Sequence, residues 1–316
     1  LKGDESPFAQ RHAGEVCRKP EYLGVASFGI VTGVPDMAAV AHLTGLCNEY
    51  SMDLVETGSI CGLLLELAQR GIVTEADTQE WWGQPVALRW GDYAVVERII
   101  RSLGEKKDKL GGLFKDGLCR GAQLLEEEKG VPVLCYANYG KGGAAFTEEL
   151  RHRPGWMVNM AVGARGADHL KGMLTMDTRS RGEIALKQFG TAEVMDEFLS
   201  TDQKGAFSAI GENHTAIPNS LGICVMLAGA DPVRFPLQLF SDALYAASGL
   251  RVTPEEMAQA GERIVNLEKA FNSLLGLRRE HDTVCQRWLK EELAEGWGKG
   301  WKAEDHLDKA LDEYYR

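Results

Sequence analysis

Apolar residues recur along most of the chain at the three- and four-residue spacing that is typical of amphipathic helices. Asp36, whose carboxylate suits a helix N-cap, precedes one such segment over residues 37–50. A second helix is expected after Asp53, with its end near Gly71, and a third after Asp92. These two segments align their apolar residues on single faces: Ile60, Leu63, Leu64 and Leu67 in the second, and Val95, Val96, Ile99, Ile100 and Leu103 in the third.

The same spacing predicts three more helices, over residues 118–128, 160–173 and 184–199. The first of them is expected to end at Gly130. Residues 131–156 are rich in glycine and proline and indicate an irregular segment, with residues 131–136 as the best candidate for a strand.

The clearest helix start lies at Thr253-Pro254-Glu255-Glu256. Thr253 suits the N-cap, Pro254 suits the first helical position, and Glu256 completes a capping box. The helix that follows is expected to turn four apolar side chains toward the core: Met257, Ile264, Leu267 and Phe271.

These elements predict a mostly α-helical body with few strands. The glycine- and proline-bearing stretch over residues 205–218 suggests a division into two helical domains. We therefore expect a first domain over residues 1–205 and a second over residues 206–316.

The charge, hydropathy and cysteine content of the chain exclude several classes of function. The chain has 316 residues with 35 Lys+Arg and 46 Asp+Glu, so its net charge of −11 disfavours nucleic acid as a partner. No window approaches the roughly 18 uninterrupted apolar residues of a membrane span. The seven cysteines include no C-x-x-C pair, which argues against a zinc ribbon or a disulfide framework and predicts a cytoplasmic protein.

The chain starts at Leu1 and stops within a helical pattern, so we expect it to be part of a longer protein.

Two cysteines are candidates for metal chemistry. Cys224 follows Asn219-Ser220-Leu221-Gly222-Ile223, where glycine lets the backbone approach a bulky ligand, and a thiolate suits an iron–sulfur cluster. The alternative interpretation is a turn followed by a buried cysteine. Cys17, close to His12, is a candidate metal ligand or nucleophile, with a surface cysteine near a frayed end as the alternative.

Three further side chains are candidates for binding or proton transfer. Arg165 and His169 are four residues apart and would share a helix face, where Arg suits a phosphate and His suits proton transfer. The alternative is a solvated helix start. Asp53 either caps its helix or accepts hydrogen bonds from the N–H groups of a heterocycle such as a pterin.

Five stretches in order along nearly the whole chain resemble the C-terminal helical region of the aldehyde:ferredoxin oxidoreductase family. They are Glu21-Tyr22 with Leu46-Cys47-Asn48-Glu49-Tyr50-Ser51-Met52-Asp53, then Arg165-Gly166-Ala167-Asp168-His169, Asn219 to Cys224, Gly261-Glu262-Arg263-Ile264-Val265-Asn266-Leu267-Glu268, and Leu311-Asp312-Glu313-Tyr314-Tyr315. The family consists of tungsten enzymes with a bis-pterin cofactor and a [4Fe–4S] cluster, so the resemblance implies a helical fold that faces these groups.

The resemblance also implies residue roles. Contacts with tungstopterin (a bis-molybdopterin with tungsten, or else molybdenum) are implied for Asp53, Thr57, Gly58, Arg165, Gly166, Asn219, Ile223 and Val225. Asp53 with the Thr57-Gly58 turn would serve one pterin, and Asn219 with the backbone of residues 223–225 would serve the other. His169 would donate or accept protons near the metal. Cys224 would be one [4Fe–4S] ligand, and Cys17 is a further candidate.

The chain departs from the family pattern in several places. The family's other cluster cysteines form a C-x-x-C-x-x-x-C group upstream of Glu21, where this chain has only Cys17, and the family's N-terminal pterin-binding domain is missing from it. Leu23 stands where the family has an acidic residue, and Asn219 stands where it has aspartate. Residues 139–156 replace a segment that is common in aldehyde oxidisers.

The resemblance therefore implies the C-terminal part of an oxidoreductase that transfers electrons between an aldehyde- or carboxylate-type small molecule and ferredoxin or an iron–sulfur partner subunit. Leu23 and the altered loop leave open a tungsten-dependent benzoyl-CoA reductase catalytic subunit. The missing cysteines leave open a scaffold or interaction subunit without a cofactor. Under each interpretation the isolated chain is expected to show no turnover.

Overall fold

The computed structural model describes residues 6–16, 19–145, 147–172, 199–228 and 235–316. Cys17 and residues 184–198 of a predicted helix lie outside the described residues. The predicted fold class is confirmed, because the described segments are mostly helical and contain just one hairpin of two-residue strands. Across these segments, no helix combines the length and the apolar character needed to cross a bilayer.

The chain forms two compact units, Leu1–Thr147 and Glu148–Arg316. The division proposed from sequence at residues 205 and 206 falls inside the second unit, and that assignment of domains stays a prediction. Each unit is described by itself below.

The first unit is built from short and medium helices and a small hairpin. In chain order they are α1 (Pro7–Arg11), α2 (Tyr22–Gly24), a π-helix (Val25–Ile30), α3 (Met37–Glu49), α4 (Leu54–Gln69), α5 (Glu75–Trp82), α6 (Tyr93–Glu105), α7 (Lys109–Leu113), α8 (Leu118–Lys129), a 3-10 turn (Leu134–Tyr136), β1 (Tyr139–Gly140) and β2 (Gly143–Ala144).

Aspartate caps start three of these helices, as the sequence predicted. Asp36 accepts from the backbone N of Ala38 at 2.8 Å, Asp53 from that of Glu56 at 2.8 Å, and Asp92 from that of Ala94 at 3.0 Å. Each carboxylate satisfies backbone N–H groups that have no partner within the helix. The caps fix where α3, α4 and α6 begin, and their apolar faces then form one core.

The predicted strand over residues 131–136 is wrong, because Leu134–Tyr136 form a 3-10 turn and residues 131–133 form no strand. The backbone N atoms of Val133 and Leu134 lie 2.9 and 3.1 Å from one carboxylate oxygen of Glu126 at the end of α8. That carboxylate accepts hydrogen bonds from the N–H groups that a strand would donate to a neighbouring strand. The Val133 side chain is fully buried.

The second unit contains the following elements: α9 (Pro154–Val162), α10 (Lys204–Ser220), α11 (Val225–Ala228), α12 (Leu237–Ser248), α13 (Pro254–Leu274), a 3-10 turn (Arg279–His281), α14 (Gln286–Lys290), a second 3-10 turn (Ala303–Asp305) and α15 (Leu307–Tyr314).

Two predictions for this unit fail at helix boundaries. Helix α9 begins at Pro154 and ends before Gly163, whereas the sequence predicted a loop to residue 156 and a helix over residues 160–173. Proline suits the first helical position, and Gly163 leaves the helical conformation with ψ of 129°. Residues 164–167 and 169–172 form turns and bends.

The capping box of α13 is confirmed, with the Thr253 N donating to Glu256 at 2.8 Å and the Glu256 N donating to Thr253 at 3.2 Å. The predicted core face is only partly right. Met257 is buried, but Leu267 and Phe271 are 71% and 60% exposed. The apolar spacing is present, but nothing within the described residues covers the second half of this face.

Helix α10 is the centre of the second unit, and α9, α13 and α15 pack against it. Glycines permit two of these contacts. A Cβ atom on Gly205 would lie 1.9 Å from the Ala310 carbonyl oxygen on α15, and a Cβ atom on Gly261 of α13 would lie 2.2 Å from the Asn213 carbonyl oxygen. Any larger residue at either position would push the helices apart.

Candidate functional site

The N-terminal turn of α4 carries the three candidate residues of the first unit. Asp53 is exposed and caps the helix, so the capping interpretation is confirmed. Thr57 is buried and donates to the Asp53 carbonyl oxygen at 2.6 Å, and Gly58 is buried as well. Thr57 and Gly58 are therefore interior helix residues rather than a turn, and Asp53 alone of the three is exposed. Their role toward a cofactor stays a prediction.

The π-helix that follows Leu23 lies against this turn. A Cβ atom on Gly58 would be 2.5 Å from the Cβ atom of Ser27, so only glycine allows this contact. π-Helical segments are rare and occur frequently at functional sites. Leu23 is half-buried in α2, just before the π-helix, at the position where the family resemblance implies an acidic residue.

Two buried thiols, Cys47 on α3 and Cys61 on α4, are unsuited to redox chemistry. Burial raises the pKa of Cys47 to about 12, although Thr57 hydrogen-bonds to its thiol. Burial also raises the pKa of Cys61. A buried thiol that stays protonated is a poor nucleophile and a poor metal ligand, so these two cysteines are packing residues.

The candidate residues Arg165 and His169 lie on a turn and not on one helix face. The Arg165 guanidinium pairs with the carboxylate of Asp168, and the Asp168 backbone N donates to the Gly166 carbonyl oxygen at 2.7 Å. Gly166 is buried and has φ of +104°, a conformation that side-chain-bearing residues rarely adopt. The predicted i, i+4 pair is therefore wrong, and glycine is the reason that the chain turns here.

His169 is largely buried beside two carboxylates and a tryptophan ring. Its side chain is 15% exposed, its Nδ1 lies 3.9 Å from a carboxylate oxygen of Asp168, and its ring centre lies 6.3 Å from that of Trp156. Burial lowers the pKa of His169, and the nearby carboxylates of Asp168 and Glu148 oppose that effect. The imidazole is therefore neutral at physiological pH and able to take up or release a proton.

Helix α13 fixes this turn through three side chains that sequence reasoning did not single out. Lys269 donates to the Val162 carbonyl oxygen, Asn272 donates to the Ala164 carbonyl oxygen, and the Lys171 Nζ lies 2.5 Å from a carboxylate oxygen of Glu268. Glu268, Lys269 and Asn272 occupy positions i, i+1 and i+4 of α13. The sequence feature that could have indicated them is a row of polar residues beside the apolar face of this helix.

The segment from Asn219 to Cys224 ends helix α10 in a Schellman motif. The backbone N of Ile223 donates to the Pro218 carbonyl oxygen at 2.8 Å, and that of Gly222 donates to the Asn219 carbonyl oxygen at 3.3 Å. Gly222 has φ of +73°, and Ile223 packs against the small core that contains Ile217. Glycine is needed here for the left-handed turn.

Cys224 is exposed and immediately precedes α11, so the alternative of a buried cysteine is wrong. Asn219 is exposed in the last turn of α10, and Ile223 and Val225 are half-buried. Among the residues with described positions, Cys224 belongs to no group of three metal-ligating side chains. The Schellman motif thus presents one thiol and one amide at the same helix end.

The C-terminal tyrosines are structural. The Tyr314 hydroxyl donates to Glu212 of α10, and the Tyr315 hydroxyl donates to Asp282. Burial and these carboxylates raise the pKa of both tyrosines. The Lys269 ammonium lies 4.8 Å from the centre of the Tyr314 ring. The motifs of the second unit therefore converge on α10 and α13, through packing, caps and buried hydrogen bonds.

Comparison with known proteins accounts for this set of motifs. The sequence model described as "Aldehyde ferredoxin oxidoreductase, domains 2 & 3" matches residues 3–316. The chain belongs to the aldehyde ferredoxin oxidoreductase family. The motifs quoted above, from the α4 cap to the C-terminal tyrosines, all lie within the matched range.

Curated relatives within the family are oxidoreductases. The chain is 28% identical to the tungsten-containing aldehyde ferredoxin oxidoreductase of Pyrococcus furiosus over 301 residues, which is 94% of this chain and 45% of that protein. It is 27% identical over 308 residues to the enzyme of the same name from Thermococcus kodakarensis, covering 95% of this chain and 46% of that protein. The P. furiosus aliphatic sulfonate oxidoreductase WOR-like subunit is 26% identical over 268 residues, covering 84% and 36%. The chain thus spans less than half the length of these family members.

A solved structure supports the family's fold. The active site complex BamBC of benzoyl coenzyme A reductase, in complex with 1,5-dienoyl-CoA, superposes with a TM-score of 0.65 at 15% identity, covering 94% of this chain and 46% of that one. At this identity the likeness concerns the helical fold alone.

Proposed function

We propose that this chain is the C-terminal helical part of a tungstopterin and [4Fe–4S] oxidoreductase, which transfers electrons between an aldehyde- or carboxylate-type substrate and ferredoxin. The observation that carries the proposal is the family match over residues 3–316 together with an exposed Cys224 on a Schellman motif. The names of two curated relatives, both tungsten-containing enzymes, support the choice of metal.

The surroundings of Cys224 fit a bulky inorganic ligand. A Cβ atom placed on Gly222, two residues before the thiol, would meet nothing within 4 Å. The Cys224 side chain is exposed, and a thiolate is the ligand that cluster iron uses. We assign Cys224 as one ligand of a [4Fe–4S] cluster. Cys17, which lies outside the described residues, remains a second candidate.

Exposed polar groups in each unit fit the edges and phosphates of pterins. In the first unit Asp53 presents a carboxylate that accepts hydrogen bonds from heterocyclic N–H groups, with Thr57 and Gly58 behind it. In the second unit the Asn219 amide and the backbone at Ile223 and Val225 would serve the second pterin. The Arg165 guanidinium, 59% exposed beside Gly166, suits a phosphate.

When bound, such a cofactor supplies the two-electron chemistry, and the chain supplies orientation and proton control. His169 is the group that we assign to proton transfer. Because its imidazole is largely buried and neutral at physiological pH, it can hold a proton at one ring nitrogen and return it later. Glu268, Lys269 and Asn272 keep its turn in place and are positioning residues.

The remaining parts of the enzyme lie beyond this chain in our proposal. A pterin-binding N-terminal domain and further cluster cysteines would complete the active site, and ferredoxin or an iron–sulfur subunit would exchange electrons. The isolated chain is expected to show no turnover. A benzoyl-CoA reductase catalytic subunit is the second candidate, and it is favoured by Leu23, which leaves no carboxylate at that position of α2.

The test uses the full-length protein that carries this chain, purified without oxygen. We expect tungsten or molybdenum by elemental analysis and broad iron–sulfur absorbance in the visible range. The Cys224→Ala variant should lose that absorbance, whereas the matched Cys135→Ala variant should keep it. Ferredoxin-linked aldehyde oxidation supports the first candidate, and reduction of an aromatic acyl-CoA supports the second.

Two results would overturn the proposal. A full-length protein without tungsten, molybdenum or iron–sulfur absorbance would indicate a scaffold. A Cys224→Ala variant with the absorbance of the unchanged protein would remove Cys224 as a ligand.

A further inference from the structure

The first unit contains a group of three side chains with metal-ligating atoms, away from the cap of α4. His12, Glu15 and His42 each offer one ligand atom, and these atoms lie within 4.8 Å of one another. One Glu15 carboxylate oxygen lies 2.7 Å from Nδ1 of His42, and the other lies 3.0 Å from Nδ1 of His12. Two imidazoles and one carboxylate form a ligand set that suits a divalent transition metal.

The N-terminal segment is held rigidly enough to place His12. Ser6 caps α1 by accepting from the Ala9 backbone N at 3.0 Å, and the His12 N donates to the Phe8 carbonyl oxygen at 3.1 Å. Phe8 is buried and stacks on the His12 ring with 4.2 Å between centres, and it also packs edge-on against Tyr93 at 4.7 Å and against the His42 ring at 5.4 Å. The segment is thus anchored next to α3, where His42 lies.

The His42 ring forms a hydrogen bond through one of its two nitrogens only. A carboxylate only accepts hydrogen bonds, so Nδ1 of His42 carries the proton that bonds to Glu15. Nε2 of His42 is buried and has no hydrogen-bond partner, and the nearest carboxylate oxygen, on Glu97, lies 3.6 Å away. An unbonded buried polar atom is unfavourable and calls for a physical explanation.

We propose that His12, Glu15 and His42 bind a divalent first-row transition metal ion of the zinc type. The ion takes the place of the Nδ1 proton of His42, and the neutral ring then carries that proton on Nε2, where Glu97 accepts it. A ligating histidine almost always donates its second ring N–H to such a partner. Tetrahedral zinc places its ligand atoms about 3.3 Å apart, so these atoms, which lie within 4.8 Å of one another, must draw together to bind the ion.

The site is open to solvent at one side. The His12 and Glu15 side chains are 29% and 30% exposed, whereas that of His42 is 10% exposed. Three protein ligands leave a fourth position for water, and the ion would fasten the N-terminal segment to α3. This inference does not depend on the proposed tungstopterin or on Cys224.

The test is metal binding by the 316-residue chain, prepared without a polyhistidine tag and freed of metal with a chelator. Calorimetric titration with Zn²⁺ should show about one ion per chain, and the thermal unfolding midpoint should rise with added Zn²⁺. Bound Co²⁺ should give weak visible bands without the intense near-ultraviolet band of thiolate ligation. The His12→Ala and Glu15→Gln variants should bind at least about 100-fold more weakly, and Glu97→Gln about 10-fold more weakly.

Controls separate this site from other ligands. His281→Ala changes an exposed histidine of the second unit, and Cys224→Ala removes an exposed thiol; both should bind Zn²⁺ as the unchanged chain does. Far-ultraviolet circular dichroism should show the same helix content in every variant. The inference is overturned if the unchanged chain binds no Zn²⁺, if His12→Ala and Glu15→Gln bind it equally well, or if Cys224→Ala abolishes binding.

Discussion

Single polar side chains close the turn that carries Arg165 and His169. Lys269 and Asn272 donate to carbonyl oxygens in the two residues on either side of Gly163, where helix α9 has ended. These carbonyls lack partners within the helix, and leaving a buried one unbonded costs about 1–3 kcal/mol. The orientation of His169 therefore depends on residues about one hundred positions later in the sequence.

The titration of His169 is a prediction at this scale. Burial lowers its pKa below the value of about 6.5 for an exposed histidine. The unfolded chain then binds the proton more readily, so this residue's contribution to stability is present above pH 6.5 and is lost as pH falls through that value toward the folded pKa. The His169→Gln variant should show a shallower fall in unfolding free energy between pH 7 and pH 5.

Two measurements check this expectation. NMR of labelled histidines should place the His169 midpoint below that of the urea-unfolded chain, with His169→Gln giving the assignment. A midpoint equal to or above the unfolded value would contradict it. Asp168, Glu148 and Arg165 are the charged groups near the ring, and the two carboxylates limit the size of the shift.

At the residue scale the sequence predicts local interactions well. The caps at Asp36, Asp53 and Asp92 involve backbone atoms two or three residues away, so the pattern contains all the information that they need. The partners of Lys269 and Asn272 belong to another helix end, and no spacing rule points to them. Whether the candidate cofactor residues act as proposed stays a prediction.

Helix crossings in the second unit depend on glycine. Gly205 lets α15 contact the first turn of α10, and Gly261 lets α13 contact its middle. The Tyr314 hydroxyl adds a hydrogen bond to Glu212 between these two contacts. Helix α10 thereby joins the C-terminal tyrosines, the helix that holds the His169 turn, and the segment that presents Cys224.

A Gly261→Ala substitution tests this crossing. The added methyl group would meet the Asn213 carbonyl oxygen at 2.2 Å, so α13 must move away from α10. We expect a loss of at least about 2 kcal/mol in unfolding free energy, measured by urea denaturation. The matched Gln259→Ala variant, at an exposed position of the same helix, should change it by less than about 0.5 kcal/mol. Equal stability of the two variants would show that the contact is not tight.

Elements were predicted correctly where the helical period and the end signals agree, as in α3, α4, α6 and α8. The strand over residues 131–136 failed because Glu126 takes two of its N–H groups, a contact that hydropathy does not encode. The helix over residues 160–173 failed because Gly163 and Gly166 interrupt an apolar pattern that continues past them. The exposed Leu267 shows that the spacing of apolar residues predicts which side of a helix is apolar, but does not predict whether another element packs against that side.

At the scale of the whole molecule, each compact unit has a core of its own. The core of the first unit is formed by residues between Phe8 and Ala137, all within Leu1–Thr147. The second unit includes a smaller apolar cluster around Ile217, Phe240 and Met257. The predicted division between residues 205 and 206 falls within α10, which begins at Lys204, and it stays a prediction.

We expect residues 6–147 to fold without the rest of the chain, because among the described residues every member of their core lies between Phe8 and Ala137. Circular dichroism should show a helical spectrum and a cooperative thermal transition. Leu64→Ala, at a fully buried position, should lower the unfolding free energy by about 2–5 kcal/mol. Ile30→Ala, at a position that is 69% exposed, should have little effect. A non-cooperative transition in the unchanged fragment would contradict the expectation.

The spacing of residues along α10 has a consequence for how this protein can vary. Gly205 lies near the start of the helix, Glu212 in its middle and Gly222 just after its end. Inserting one residue in the middle would rotate everything downstream by about 100° and displace it by about 1.5 Å. Either the contact between Gly205 and Ala310 or the packing of Ile223 on its apolar cluster would then be lost. Homologous chains should therefore keep the number of residues between these glycines constant, even where most side chains have changed.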